Sequence, residues 1–485
     1  MNTETAAAPR VADNEPIPSV DRAWLEMDTD RSPMVICAIL ELDGVDDVDA
    51  LRREMFERLL RHPRFAQCPD HARKPSAWQR ALRVDPLDHI SVRKVEEHAL
   101  ADAVAAEMRR HLDRTRPLWH VSLLSTTPRR VTALFRAHHA MGGGIGLMQL
   151  LLGLHDGAAL PGVPAELPRR GPLARWIGRL EALDASLSRL GKFIARGSEE
   201  PLGLVRQSLQ LGRDTAALVA LLGSSRQQPT AFGSSLSGRR AVAWSHDLPS
   251  VAAIKDAAHA YGCKHNDIML AALSGAFSHY MQRHDGVTPK PDQELRIAVP
   301  INLRKSSDAS LSNRFGLGLV DLPIGLADAH ERLEAVADRM RRLKDSRQAH
   351  AVFVGLAIAG ELPGRVERAL VGRIGRQASA VVSNLPGPEH ALRFAGAHIR
   401  NIVFWPPQSG GIGIGISLLS YAGHTSIGIS SDIAVMRSPR LLLDAFAAEL
   451  QELVSHAGAG AAGPRRRRAV TRRAHAGAAA RAAAE

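Results

Sequence analysis

Short apolar runs with strand character recur in the first third of the chain: "MVICAILEL" (34–42), "WHVSLLST" (119–126) and "VTALFRAHHA" (131–140). The last two are separated by a short turn and predict paired strands. Between them, helical spacing marks "VDALRREMFERLLRHP" (48–63), ended by Pro63, and "ALADAVAAEMRRHLDR" (99–114). "GIGLMQLLLGLHDG" (144–157) predicts a helix with a buried face. From about 160 to 230 Pro and Gly cluster, and Leu/Arg-rich helical stretches follow, which reads as a partly helical connector. A second set of elements then begins near 238–248. It comprises helices over 249–262 and 266–284, a strand over 295–304, helical sequence through much of 326–380, and a last helix before the tail. Two alternating segments, "GIGIGISLLSY" and "TSIGISSDI", meet at "AGH" and predict a hairpin. The pattern predicts an α/β (α+β) protein of two lobes, each with a mixed sheet. The expected division is a flexible start (1–18), a first lobe (19–160), a helical connector (161–235), a second lobe (236–460) and a basic disordered tail (461–485).

Composition adds three constraints. The 485 residues are 45% apolar and 23% charged, enough for two or three ordinary domains, and with 4% aromatics the core must be mainly aliphatic. The formal charge of +12 is partly local: the segment 463–485 holds seven arginines and one carboxylate, Glu485. Such a tail suits nucleic acid, an anionic lipid surface or plain solvation. No finger spacing or aromatic-basic stripe supports a nucleic-acid module. The three cysteines, Cys37, Cys68 and Cys263, are odd in number and far apart, which suggests neither disulfides nor a metal site and fits a reducing cytoplasm. The start lacks the basic-then-apolar order of a signal peptide, and no apolar run reaches the ~18 residues of a membrane span. Membrane contact is therefore expected to be peripheral, on a membrane or a lipid inclusion.

The candidate chemistry sits in "RAHHAMGGGIG" (136–146). In a strand, side chains alternate between faces, so His138 and His139 point apart. His139 continues the apolar face of Val131, Ala133, Phe135 and Ala137 and is the better candidate for an enclosed site; His138 falls to a structural task. A neutral imidazole is a suitable general base near neutral pH. Gly143 and Gly144 leave the backbone open to close approach, and a helix starting there would offer free N–H groups to a developing negative charge. A base beside N–H donors is a minimal arrangement for attack on a carbonyl.

"HHAMGGG" resembles the HHxxxDG signature of the bifunctional wax ester synthase/diacylglycerol acyltransferases, a signature shared with CoA-dependent acyltransferases and peptide-synthetase condensation domains. Further segments resemble that family in the right order across about 20–455. They are "LEMDTDRSPM" (25–34), "RPLWH" (116–120), "HNDIMLA" (265–271), "VPINLR" (299–304) with "SNRFG" (312–316), "VVSNLPGP" (381–388) and "SYAGHTSIGISSD" (420–432). The resemblance implies two lobes of the chloramphenicol-acetyltransferase type with a tunnel at their interface. It implies acyl-CoA as co-substrate, no other cofactor, no metal, and a long-chain alcohol or diacylglycerol as acceptor. By position it makes His139 the base, with Asn266, Gly143 and Gly144 supporting substrate or oxyanion. Asn266 could equally be a helix cap. Pro117, Trp119, Arg304, Ser383 and Asn384 become structural residues near the site, and Asp432 a strand-end hydrogen-bonding group.

One departure stands out: the signature Asp is Gly143. In the family this carboxylate is assigned a structural salt bridge to an arginine, for which Arg64 and Arg304 are the candidates here. An unpaired buried guanidinium would have to be solvated or paired elsewhere. Three readings follow: an active acyltransferase, a member that binds acyl-CoA or lipid without turnover, or a condensation-type enzyme using carrier-bound thioesters.

Overall fold

The computed structural model describes residues 14–157 except 71 and 73–75, 232–302 except 234, 315–346, 352, and 377–460 except 409 and 410. The expected connector up to residue 231, the tail and Arg304 lie outside the described residues. In the first part come β1 (Asn14–Pro16), α1 (Ser19–Met27), β2 (Val35–Asp43), α2 (Val48–Leu60), β3 (Gln67–Pro69) and β4 (Ala77–Arg80). They are followed by α3 (Pro86–His89), β5 (Ile90–Lys94), α4 (Leu100–Met108), β6 (Trp119–Thr127), β7 (Arg130–His138) and α5 (Gly144–Leu152). The second part holds β8 (Arg240–Ser245), α6 (Val251–Tyr261), α7 (His265–His284), β9 (Leu295–Asn302), β10 (Phe315–Leu322) and α8 (Ala329–Asp345). It closes with β11 (Ala380–Pro386), β12 (Arg393–Phe394), β13 (Ala397–Trp405), β14 (Ile414–Tyr421), β15 (His424–Asp432) and α9 (Pro439–Gly460).

Two six-stranded sheets, both mixed, carry the architecture, in the orders β12-β13-β2-β7-β6-β5 and β10-β9-β11-β14-β15-β8. In the first only β5–β6 is parallel; in the second β11 runs parallel to both neighbours. A small sheet, β1-β4-β3, stands beside them. The first sheet is covered on both faces, which explains why β2 reads as a nearly continuous apolar run. Ile36, Ala38, Leu40 and Leu42 join Ala133, Phe135 and Ala137 in a core with Trp24 and Leu25 of α1 and Leu51, Met55 and Leu59 of α2. On the opposite face Val35, Cys37, Ile39 and Leu134 pack with Val104, Ala105 and Met108 of α4.

Local chemistry sets the helix ends. Asp47 caps α2 by accepting from the Asp49 and Ala50 N–H groups. The helix stops at Leu60, three residues short of the expected end, because the chain turns into a 3-10 segment at Pro63–Ala66. The helix expected over 99–114 ends at Met108. Beyond it the Asp113 carboxylate accepts from both the N–H and the hydroxyl of Thr115, and the Arg136 guanidinium donates to the Arg110 carbonyl. These side-chain bonds compete with the helical ones.

The second sheet packs its apolar face on α7, α8 and α9, with Ile414, Ile416, Leu418, Ile427 and Ile429 in that core. The small residues interleaved with them meet the first sheet instead. Strand β13 crosses there: a Cβ on Gly428 would lie 2.3 Å from Val403 Cγ1, and Ser426 Oγ donates to Asn401 Oδ1 at 2.7 Å. Leu419 and Tyr421, further along β14, enter the core of the first sheet. Thus residues 393–405, within the stretch expected to form the second lobe, add two strands to the first sheet beside β2. The pattern concealed them because only the start of β13 alternates; Asn401–Trp405 is buried throughout, after a bulge between Ile399 and Asn401.

Candidate active site

Strand β7 lies inside the first sheet, between β2 and β6, and its last residue is His138, opposite Val35. His139 opens a single 3-10 turn, His139–Met141, followed by the glycines and then α5. The strand alternation expected through 140 therefore stops one residue before His139. His139 still reaches the apolar side: its ring stacks on Trp24 of α1, with centroids 4.1 Å apart and planes at 24°. Its backbone N–H donates to the Met34 carbonyl at 2.8 Å. Both histidines are buried, with 2% of His138 and 4% of His139 exposed.

His138 makes the strand-end bond expected of it, its Nδ1 accepting from the Ala140 N–H at 3.1 Å. Its Nε2 faces Asp28 Oδ2 at 3.7 Å. Burial pushes the His138 pKa down, against the opposing pull of Asp28. For Asp28 burial acts upward, but His138, the Met34 N–H and His111 outweigh it and hold the carboxyl at about 2. The turn carrying the histidines also sits beside the contact between the sheets. Ser32, two residues before Met34, donates to the Gln408 carbonyl, and Gln408 Nε2 donates to the Ser430 carbonyl and hydroxyl of β15.

The glycines start α5 with Gly143 as its N-cap, where no side chain is available to cap. A Cβ at Gly144 would meet only Ile36 Cδ1, at 3.9 Å. The first-turn N–H groups of α5 follow directly after the histidine turn.

The other expected residues fall in four places. Pro117 and Trp119 are buried at the entry to β6. Trp119 stacks on His89 at 4.4 Å, and its Nε1 donates to the Phe65 carbonyl at 2.9 Å. Asn266 and Asn384 come together across 118 residues of chain, Asn384 Nδ2 donating to Asn266 Oδ1 at 3.0 Å, with Ser383 buried beside them. Asn266 is not the cap of α7: that helix starts at His265, and Asp267 closes its first turn by accepting the Lys264 N–H. Asp432 accepts from Ser237, Gly238 and Ala434 and ties the end of β15 to the start of β8. The described arginine candidate for the lost salt bridge, Arg64, pairs with Glu15 at 2.6 Å and lies over Trp78. Trp24 and Asp28, which touch the two histidines, were not assigned from the sequence. Both lie in or beside "LEMD", where an acidic residue just past an apolar helix face was the available signal.

Two mixed sheets in contact, with His138 ending a central strand and His139 opening the turn after it, give the fold of two-lobed acyltransferases and condensation domains. Among solved structures, the wax ester synthase/diacylglycerol acyltransferase from Marinobacter aquaeolei VT8 matches with a TM-score of 0.65 and 18% identity, over 92% of this chain and 100% of that one. The first condensation domain of the CDA synthetase matches with a TM-score of 0.57 and 16% identity, over 93% and 97%. The family model for the wax ester synthase/diacylglycerol acyltransferase catalytic domain matches residues 17–269, and that for the WS/DGAT C-terminal domain matches 311–454. A relative described as the probable diacylglycerol O-acyltransferase tgs1 of Mycobacterium tuberculosis is 27% identical over 428 residues, 85% of this chain and 84% of its own length. The chain belongs to the wax ester synthase/diacylglycerol acyltransferase family, and its class is that of an O-acyltransferase.

Proposed function

We propose that this protein transfers an acyl group from acyl-CoA to the hydroxyl of a hydrophobic alcohol, diacylglycerol or a long-chain fatty alcohol, giving triacylglycerol or wax ester. The observation that carries the reading is the catalytic-domain match over 17–269, which spans the buried pair His138–His139. His139 takes the proton of the acceptor hydroxyl as its oxygen bonds to the thioester carbonyl carbon. The carbonyl oxygen gathers negative charge near the first turn of α5, where Gly143 and Gly144 keep the backbone accessible. The C–S bond then breaks, and the CoA thiolate takes the proton back from His139. The thioester is already activated, so no metal or further cofactor is needed. Asn266, bonded to Asn384, orients substrate from the second lobe.

The acceptor and product are insoluble, which favours work at a membrane or lipid-inclusion surface from the cytoplasmic side. No helix among the described residues is long and apolar enough to cross a membrane. Nucleic acid has no part in this reading.

The test is transfer from labelled acyl-CoA to a panel of diacylglycerols and fatty alcohols, with no carrier protein present. Labelled ester is the expected product. A folded protein that binds acyl-CoA but yields no ester would favour the impaired reading prompted by Gly143. Dependence on a carrier-bound thioester would favour the condensation-type reading.

A further inference from the structure

The α1 segment touches both rings of the histidine pair. Trp24 lies flat against His139. One turn further on, Asp28 is the C-cap of α1, and its Oδ1 accepts the Met34 N–H at 2.9 Å. Its Oδ2 stands 3.7 Å from His138 Nε2, 3.6 Å from His111 Nδ1 and 3.5 Å from the Arg114 guanidinium. Among the described residues, Asp28, Arg114 and His111 are the charged or titratable side chains that act on His138, with His139 next in the chain. A neutral imidazole that accepts at Nδ1 carries its proton on Nε2. For His138 that N–H faces the carboxylate, while Nδ1 holds the Ala140 N–H.

We infer that Asp28 is a positioning residue for the reaction: it fixes the Nε2–H tautomer of His138, and through the Ala140 bond it fixes the 139–141 turn that aims His139. Trp24, from the same helix, sets the plane of the His139 ring. Asp28 also grips the Met34 N–H, and the Met34 carbonyl receives the His139 N–H, so the carboxylate holds the turn from both sides. In the opposite tautomer His138 would set an N–H against the Ala140 N–H in a buried place, and the turn would have to move. The inference rests on His139 being the base.

Asp28→Asn keeps an acceptor for Met34 but removes the charge. The expected result is a fall in kcat of about 10²-fold, with KM for acyl-CoA little changed, because a misaimed base slows the chemical step. His138→Gln should fall similarly, and the double variant should be no worse than the weaker single. Asp28→Glu should restore part of the rate. Asp30→Asn removes a fully exposed charge 3.9 Å from His111 and should leave the rate unchanged. An unchanged kcat in Asp28→Asn, or losses that multiply in the double variant, would overturn the inference. Should Asp28→Asn not fold, nitrogen-15 histidine spectra of the wild-type chain decide: His138 protonated at Nε2 supports the inference, and protonation at Nδ1 overturns it. If His139→Ala retains turnover, the base reading fails. If His139→Ala is inactive and Asp28→Asn is not, only this inference fails.

Discussion

At the scale of single residues, burial of ionisable groups makes this fold sensitive to acid. Burial, aided by Arg64, brings His62 to about 4, and burial, aided by Arg136 and Arg110, brings His120 to about 3. Below the ordinary histidine value near 6.5 the unfolded chain takes up these protons while the folded chain does not, so stability falls as pH drops. Asp28 works in a lower window: its contribution is whole above the ordinary value of 3.8 and is lost as pH falls through about 2. The melting temperature is therefore expected to drop between about pH 7.5 and about pH 5, and His120→Gln should shrink that drop. A flat profile would contradict the assigned burial. Strand parity and the glycine run singled out His139 in the sequence, but β7 ends at His138 and His139 reaches the apolar side from the turn that follows. Trp24 and Asp28 were not legible there, since their link to the histidines arises only when α1 folds back over the end of β7.

Individual elements followed the hydrophobic pattern wherever one face is apolar and the other polar, as in α2, α6 and the hairpin of β14 and β15. Strands β10, β11 and β13 escaped it. "VVSNLPGP" shows no strand alternation, yet residues 381–386 pair in parallel with β14, and Val381 with β9 as well. Parallel pairing joins residues far apart in the chain, so no local alternation or turn announces it. The alternation in β14 and β15 had a second meaning: its glycines and serines leave room for β13. Adding a methyl at Gly428 would drive a carbon to 2.3 Å from Val403 Cγ1, with Ser417 Oγ and Trp405 Nε1 each at 2.9 Å. Gly428→Ala is expected to destabilise the protein by about 1–3 kcal/mol in urea unfolding. An unchanged midpoint would mean that the crossing of β13 is looser than the structure shows.

For the whole molecule, the two lobes are not independent bodies set side by side. Strands β12 and β13 leave the later part of the chain to complete the first sheet, and Leu419 and Tyr421 of β14 close its core. The Tyr421 hydroxyl donates to the Ile399 carbonyl at 2.9 Å, and Ser32 joins the segment before β2 to the loop after β13. This union sets the histidine turn beside the contact between the sheets. The family's two-lobed architecture was legible from six ordered motifs; the exchange of strands was not, because no motif covers 393–405. The most direct measurement is the single-turnover rate of ester formation by His139→Ala, on protein shown by its melting curve to be folded. The account predicts a fall of about 10²-fold or more relative to the wild-type chain. Ester formation at the wild-type rate would contradict it.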